Sequence, residues 1–108
     1  MLYCGAGPVS IGRNCDLGQR VNAHTVSHEL GDSERRAGTQ RMLATSIGDG
    51  CWIGAGSTIL PGVTIGSGCI VGAGSVVTAS CEPDGLCADV PAKRVRDLDL
   101  EIPDAILP

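Results

Sequence analysis

Two histidines, His24 and His28, and six cysteines are the side chains of this 108-residue chain that could accept a proton, attack a carbonyl or ligate a soft metal. An imidazole can take the proton of a hydroxyl as its oxygen attacks a thioester or ester carbonyl, and imidazoles titrate near neutral pH without extreme tuning. Position alone does not choose between His24 and His28, and a histidine in a loop is more often simply polar surface. A zinc set is poorly supported, because the cysteines form no CxxC pair and only two histidines are present. Whatever these groups do, some scaffold has to hold them, and the scaffold is written more plainly than the chemistry.

Ile47, Ile53, Ile59, Ile65, Val71 and Val77 recur every sixth position, and Gly48, Gly54, Gly66 and Gly72 follow four of them directly. A period of six fits neither an α-helix nor one face of a flat strand. It is the period of a hexapeptide parallel β-helix, an all-β solenoid in which three hexapeptides make one triangular turn and the turns stack. The aliphatic residue points into the prism, and the glycine is expected to ease the backbone round a corner.

The cysteines follow the same phase. Cys51, Cys69 and Cys81 lie four positions after Ile47, Ile65 and Val77, and Cys15 stands in that relation to Ile11. This slot takes a small inward residue, so the cysteines read as packing, where a thiol behaves as a small hydrophobe. Cys51, Cys69 and Cys87 are eighteen positions apart in turn and are expected to stack in one column.

Composition agrees. One Trp, one Tyr and no Phe would starve a globular core, but a narrow prism fills with Ile, Val and small residues. The formal net charge of −4 and the absence of a basic run give no footprint for nucleic acid. No apolar stretch is long enough to span a membrane. Met1-Leu2-Tyr3-Cys4-Gly5 lacks the charged and apolar regions of a secretion signal, and a cytoplasmic location is expected.

The chain reads as a single domain, 1–108, with coils over about 9–28 and 47–82. Ile11, Leu17 and Ala23 keep the period in the first coil. Between the coils, residues 29–46 span one turn, yet continuing the register would drive Glu29, Arg35 and Arg41 into the aliphatic slots. Three unpaired charges inside an apolar prism are too costly, so this segment is expected to leave the solenoid as an excursion loop. Loops that interrupt a regular scaffold often carry function. From 83 to 108 the period is lost, and prolines at 83, 91, 103 and 108 suggest an irregular C-terminal cap over the upper end.

The runs Ile47-Gly48-Asp49-Gly50-Cys51-Trp52-Ile53-Gly54-Ala55-Gly56, Ile59-Leu60-Pro61-Gly62-Val63-Thr64-Ile65-Gly66, Val71-Gly72-Ala73-Gly74-Ser75-Val76-Val77-Thr78 and Val90-Pro91-Ala92-Lys93 resemble the hexapeptide-repeat acyltransferase superfamily, whose fold is a left-handed parallel β-helix. Within it, residues 9–97 are most similar to the maltose and galactoside O-acetyltransferases and to related polysaccharide O-acetyltransferases. The resemblance implies an enzyme that moves an acetyl group from acetyl-CoA, as co-substrate and without a metal, to a saccharide hydroxyl, working as a homotrimer.

Sugar acetyltransferases carry a histidine where the chain leaves the coil, then an arginine seven and a glycine ten positions later; His28, Arg35 and Gly38 have this spacing. By that resemblance His28 is the candidate catalytic base, with His24 its rival. Coenzyme A contacts carry over by position to Ala55, Ala73 and Thr78, and to the basic Lys93 and Arg96, with Arg94 able to substitute near a phosphate. Two departures weigh against cofactor affinity: Ala79 stands where the family has lysine, and Asp89 where it has glycine. Trp52 falls in an outward slot, where it would wall a pocket or pack between subunits. Alternatives are a non-catalytic trimeric scaffold and a serine O-acetyltransferase, although Arg41-Met42-Leu43-Ala44-Thr45-Ser46 lacks the histidine that the latter carries. A γ-type carbonic anhydrase would need three zinc-binding histidines.

Overall fold

The computed structural model describes residues 2–4 and 9–98. After β1 (Leu2–Cys4), a first coil winds through β2 (Val9–Ile11), β3 (Asp16–Leu17) and β4 (Asn22–His24). The chain then leaves in a hairpin of β5 (Val26–Leu30) and β6 (Ala37–Met42). It resumes coiling through β7 (Thr45–Ile47), β8 (Trp52–Ile53), β9 (Thr58–Ile59), β10 (Thr64–Ile65), β11 (Ile70–Val71) and β12 (Val76–Val77). β13 (Gly85–Ala88) and β14 (Lys93–Asp97) complete the described chain.

Three parallel sheets form the walls: β1-β4-β9-β12, β2-β7-β10 and β3-β8-β11-β13. This is a left-handed, three-sided β-helix, without a helix among the described residues. Ile65 pairs with Ile47, Val71 with Ile53 and Val77 with Ile59, each eighteen residues on, so like stacks on like. All six periodic aliphatics are at most 2% exposed. Each contributes roughly 1.5–3 kcal/mol by leaving water. Ile11 is an exception to the expectation for the first coil, being 36% exposed, because among the described residues β2 is the edge strand of its sheet.

Glycine does two jobs, only one of which the periodicity suggests. A Cβ at Gly48 would lie 2.6 Å from Ser67 N, and one at Gly54 2.5 Å from Ala73 N, so these glycines permit close approach of successive coils. The left-handed bend falls two residues later, at Gly50, Gly56, Gly68 and Gly74, with φ between 70° and 74°. Asn14, Arg20 and Asp84 hold the same bend at φ 59°, 61° and 58°.

Cys51, Cys69, Cys81 and Cys87 are buried and Cys15 half-buried. Thiols reach across to the next coil: Cys15 Sγ donates to Gly48 O (3.0 Å), Cys51 Sγ to Gly66 O (3.2 Å) and Cys69 Sγ to Glu82 O (3.0 Å). Burial pushes the Cys51 thiol up to about 11 and, with Cys87 alongside, the Cys81 thiol up to about 12.

The expected column of Cys51, Cys69 and Cys87 is broken at its last member. Cys87 pairs with Val71 and Cys81 with Ile65, sixteen residues on in each case, so both occupy aliphatic slots. The turn Thr78-Ala79-Ser80 is two residues short. Without that shortening Pro83, which has no N–H, would enter the ladder. Nor is the segment after 82 irregular throughout. β13 continues the third wall, and β14 folds back on it antiparallel. Residues 99–108 of the expected cap lie outside the described residues.

Ile11 and Ile47 pair although they are thirty-six residues apart, twice the normal step, so the hairpin is an insertion of one turn's length that leaves the phase intact. Glu29, Arg35 and Arg41, the charges that the prism would reject, are all exposed. The coil closes beneath the hairpin through Leu43 N donating to Thr25 O (2.7 Å). Buried Thr45 completes the seam: its hydroxyl donates to His24 O (2.7 Å) and accepts from Gly62 N (3.0 Å).

Candidate active site

His28 lies in the middle of β5 and is exposed, four residues beyond the end of β4. Its Nδ1 is 3.0 Å from the backbone oxygen of Gly38. A carbonyl oxygen can only accept, so this bond places a proton on Nδ1. Nε2 is then the ring nitrogen left to accept a proton when the imidazole is neutral. That is the arrangement a general base requires. Glu29, the next residue in the chain, is not the group that holds the ring.

The hairpin tip is fixed by its own backbone. Asp32 Oδ1 accepts from Glu34 N (3.0 Å) and Arg35 N (3.2 Å), an Asx turn. Across the neck, Gly31 N donates to Arg36 O (2.8 Å), and Arg36 Nη1 donates to Gly31 O (3.3 Å). The Asp32-Ser33-Glu34 string is a readable turn signal, and it could have been found from sequence. The seam residue Thr45 carried no such signal.

His24 sits differently. It belongs to β4 on the wall of the coil, half-buried beside inward Ala23, and its backbone oxygen is taken by Thr45.

Ala55 and Ala73 are exposed and share one corner column between the second and third strands of their coils. Gly74 N donates to Ala55 O (2.8 Å), and Ala73 stacks on Gly54 as Ala55 does on Gly18. Thr78 is exposed just after β12, on a different corner. Lys93 and Arg96 are exposed on β14, opposite Ala88 and Leu86. The structure therefore brings Ala55 and Ala73 together on one corner, sets Thr78 on the corner from which the hairpin of His28 departs but two coils further on, and leaves the two basic residues on β14 beside the third wall. The described residues of a single chain enclose no pocket.

Arg94 is committed elsewhere. Its Nε pairs with Asp97 Oδ1 (2.7 Å), Nη1 donates to Glu82 O (2.9 Å), and Nη2 donates to Pro83 O (3.1 Å) and Asp84 O (3.3 Å). It clamps the short last turn, so the sequence suggestion that it could substitute as a phosphate ligand is not supported. Trp52 is 37% exposed on the outer face of its wall, with Asp16 and Ile70 on the flanking strands. Among the described residues, no group of three or more His, Cys, Asp or Glu side chains is placed to hold a metal ion. Among the same residues, no helix is long and apolar enough to cross a membrane.

Residues 44–79 match the model of the bacterial transferase hexapeptide (six repeats) family. Among individual proteins, the chain is 42% identical over 100 residues to a Dictyostelium discoideum protein provisionally named an acetyltransferase, covering 93% of this chain and 53% of that one. It superposes on a galactoside acetyltransferase solved in complex with coenzyme A with a TM-score of 0.82 and 32% identity, over 90% of this chain and 48% of that one. A hexapeptide-repeat acetyltransferase of Vibrio cholerae, complexed with acetyl coenzyme A, matches with a TM-score of 0.65 and 29% identity, over 90% of this chain and 68% of that one. The chain thus spans about half the length of the curated relative and of the galactoside enzyme.

Proposed function

We propose that this protein is an O-acetyltransferase that moves an acetyl group from acetyl-CoA directly to a hydroxyl of a saccharide acceptor, with His28 as general base. One observation carries the reading: an exposed imidazole whose Nδ1 is engaged by a backbone oxygen, which leaves Nε2 to accept a proton. The Nε2 lone pair takes the hydroxyl proton as the acceptor oxygen bonds to the thioester carbon. The tetrahedral intermediate then collapses, the C–S bond breaks, and the proton passes to the departing thiolate of coenzyme A. No acyl-enzyme is involved, since the buried cysteines are packing groups.

The likeness to proteins solved with coenzyme A and acetyl coenzyme A supports the donor. The pantetheine arm would run along the corner column of Ala55 and Ala73, with Thr78, Lys93 and Arg96 towards the nucleotide. Because the described residues of one chain enclose no pocket and the corner of Ala55 and Ala73 is not the one from which the hairpin departs, the site is completed between copies, in a homotrimer. In that arrangement the hairpin of one protomer faces the corner column of its neighbour.

A thiol-release screen of acetyl-CoA against mono- and oligosaccharides, serine and aminoglycosides tests the reading. Release with a saccharide, abolished in His28→Ala, is the expected result. The departures at Ala79 and Asp89 favour a second reading, a trimeric scaffold without catalysis. Calorimetry that finds no binding at millimolar acetyl-CoA would select it, and light scattering that finds only monomer under active conditions would contradict the shared site.

A further inference from the structure

We propose that Gly38 is a positioning residue: a β-bulge at this glycine turns its carbonyl onto His28 and fixes which nitrogen of the imidazole carries the proton. The inference rests on the reading of His28 as the base and adds what makes that histidine competent.

The pairing of β5 with β6 is not continuous. His28 pairs with Gln40 and Leu30 with Ala37, so a single residue, Glu29, stands opposite two, Gly38 and Thr39. Bulges of this kind re-aim the groups of a strand. Here the Gly38 N–H is drawn back to Arg36 O (3.1 Å), and the Gly38 carbonyl meets His28 Nδ1 at 3.0 Å.

Only glycine fits. A Cβ at position 38 would lie 2.8 Å from Glu29 O and 3.5 Å from Glu29 C, the backbone of the residue that follows His28. Backbone atoms cannot swing aside as a side-chain tip can. Any larger residue must push β6 away from β5 beside the imidazole, and the Nδ1 contact goes with it.

The chemical consequence is direct. A neutral imidazole free in water favours the proton on Nε2, and the tautomer in a protein is set by the bond its other nitrogen makes. A ring protonated at Nε2 presents a donor to the acceptor hydroxyl and cannot deprotonate it through that atom. The Gly38 carbonyl reverses the intrinsic preference.

Nitrogen-15 NMR of the full chain with labelled histidine, at a pH where the rings are neutral, reads the tautomer without any assay, and His24→Gln assigns the two rings. His28 is expected to carry its proton on Nδ1, and Gly38→Ala to move it towards Nε2. In the same variant kcat for transfer falls about 100-fold, the scale of loss for a misplaced catalytic group, while acetyl-CoA affinity is unchanged. Thr39→Ala, which alters the bulge's second residue but not that carbonyl, leaves all three readings as they were. A wild-type His28 protonated on Nε2 overturns the proposal, as does a folded Gly38→Ala that keeps its kcat. Should Gly38→Ala fail to fold, the wild-type spectrum decides alone. Full transfer by His28→Ala with the wild-type tautomer as expected would sink the catalytic reading instead, so the two failures are told apart.

Discussion

The coil and the hairpin obey opposite rules. In the coil from Ile47 to Val77, every sixth residue is sealed from water, successive turns repeat one another, and a side chain's fate follows from its phase alone. In the hairpin almost every side chain is exposed, the strands slip register at Glu29, and a single backbone oxygen decides what the histidine can do. The difference teaches where function can be altered cheaply. On the proposed function, stability resides in the prism and chemistry in the insertion, joined through the seam at Thr25, Leu43 and Thr45.

The sharpest test of that division is His28→Ala. General-base catalysis is worth roughly 100- to 10,000-fold, so transfer should nearly vanish while the thermal midpoint stays within a degree or two of wild type, about the effect of a surface change. A variant that loses activity by unfolding would erase the distinction. The converse is Ile59→Ala at the centre of the prism, where 0% exposure and stacking on both sides predict about 2–5 kcal/mol lost in chemical denaturation.

Thr45→Val probes the seam. It keeps the shape of a side chain that is 1% exposed but deletes the bonds to His24 O and from Gly62 N, leaving two part-buried backbone groups without them. A loss of about 1–3 kcal/mol is expected by urea titration, with reduced kcat as the hairpin loosens. Retained stability with lost activity would show that the seam serves the hairpin alone.

The smallest effect is alkaline. Cys51 and Cys81 have folded-state values raised from 9.0 to about 11 and about 12 by burial. Unfolded thiols ionise first, so the unfolded state binds fewer protons above pH 9 and stability must fall as pH rises. The contribution is complete below about pH 9 and disappears progressively towards 11–12. Cys51→Ser should flatten this decline in melting curves.

Most of the prism was legible because its grammar is local. A slot six residues from the last must be aliphatic, and the charges of Glu29, Arg35 and Arg41 announce where the rule is suspended. The two-residue contraction after Val77 was hidden because cysteine fits either inward slot, so Cys87 kept an apparent phase while changing its neighbour. The corner glycines were legible as necessary but not for the right reason, since close approach and left-handed bending fall on different members. At the site, His28 could be named only by resemblance. The partner of its ring is a main-chain oxygen ten residues away, and a backbone atom leaves no residue type to read. The commitment of Arg94 was equally invisible, because three of its four partners are carbonyls of a turn whose shape the sequence conceals.

That contraction also acts as punctuation. A screw that advances eighteen residues per revolution can be prolonged indefinitely, and each new thread would find a matching one below. Ending on a thread of sixteen, with a guanidinium bolted over it and a reversed strand along its rim, spoils the pitch for any successor. The column thus carries its own stop, which keeps a stackable architecture from growing into a fibre.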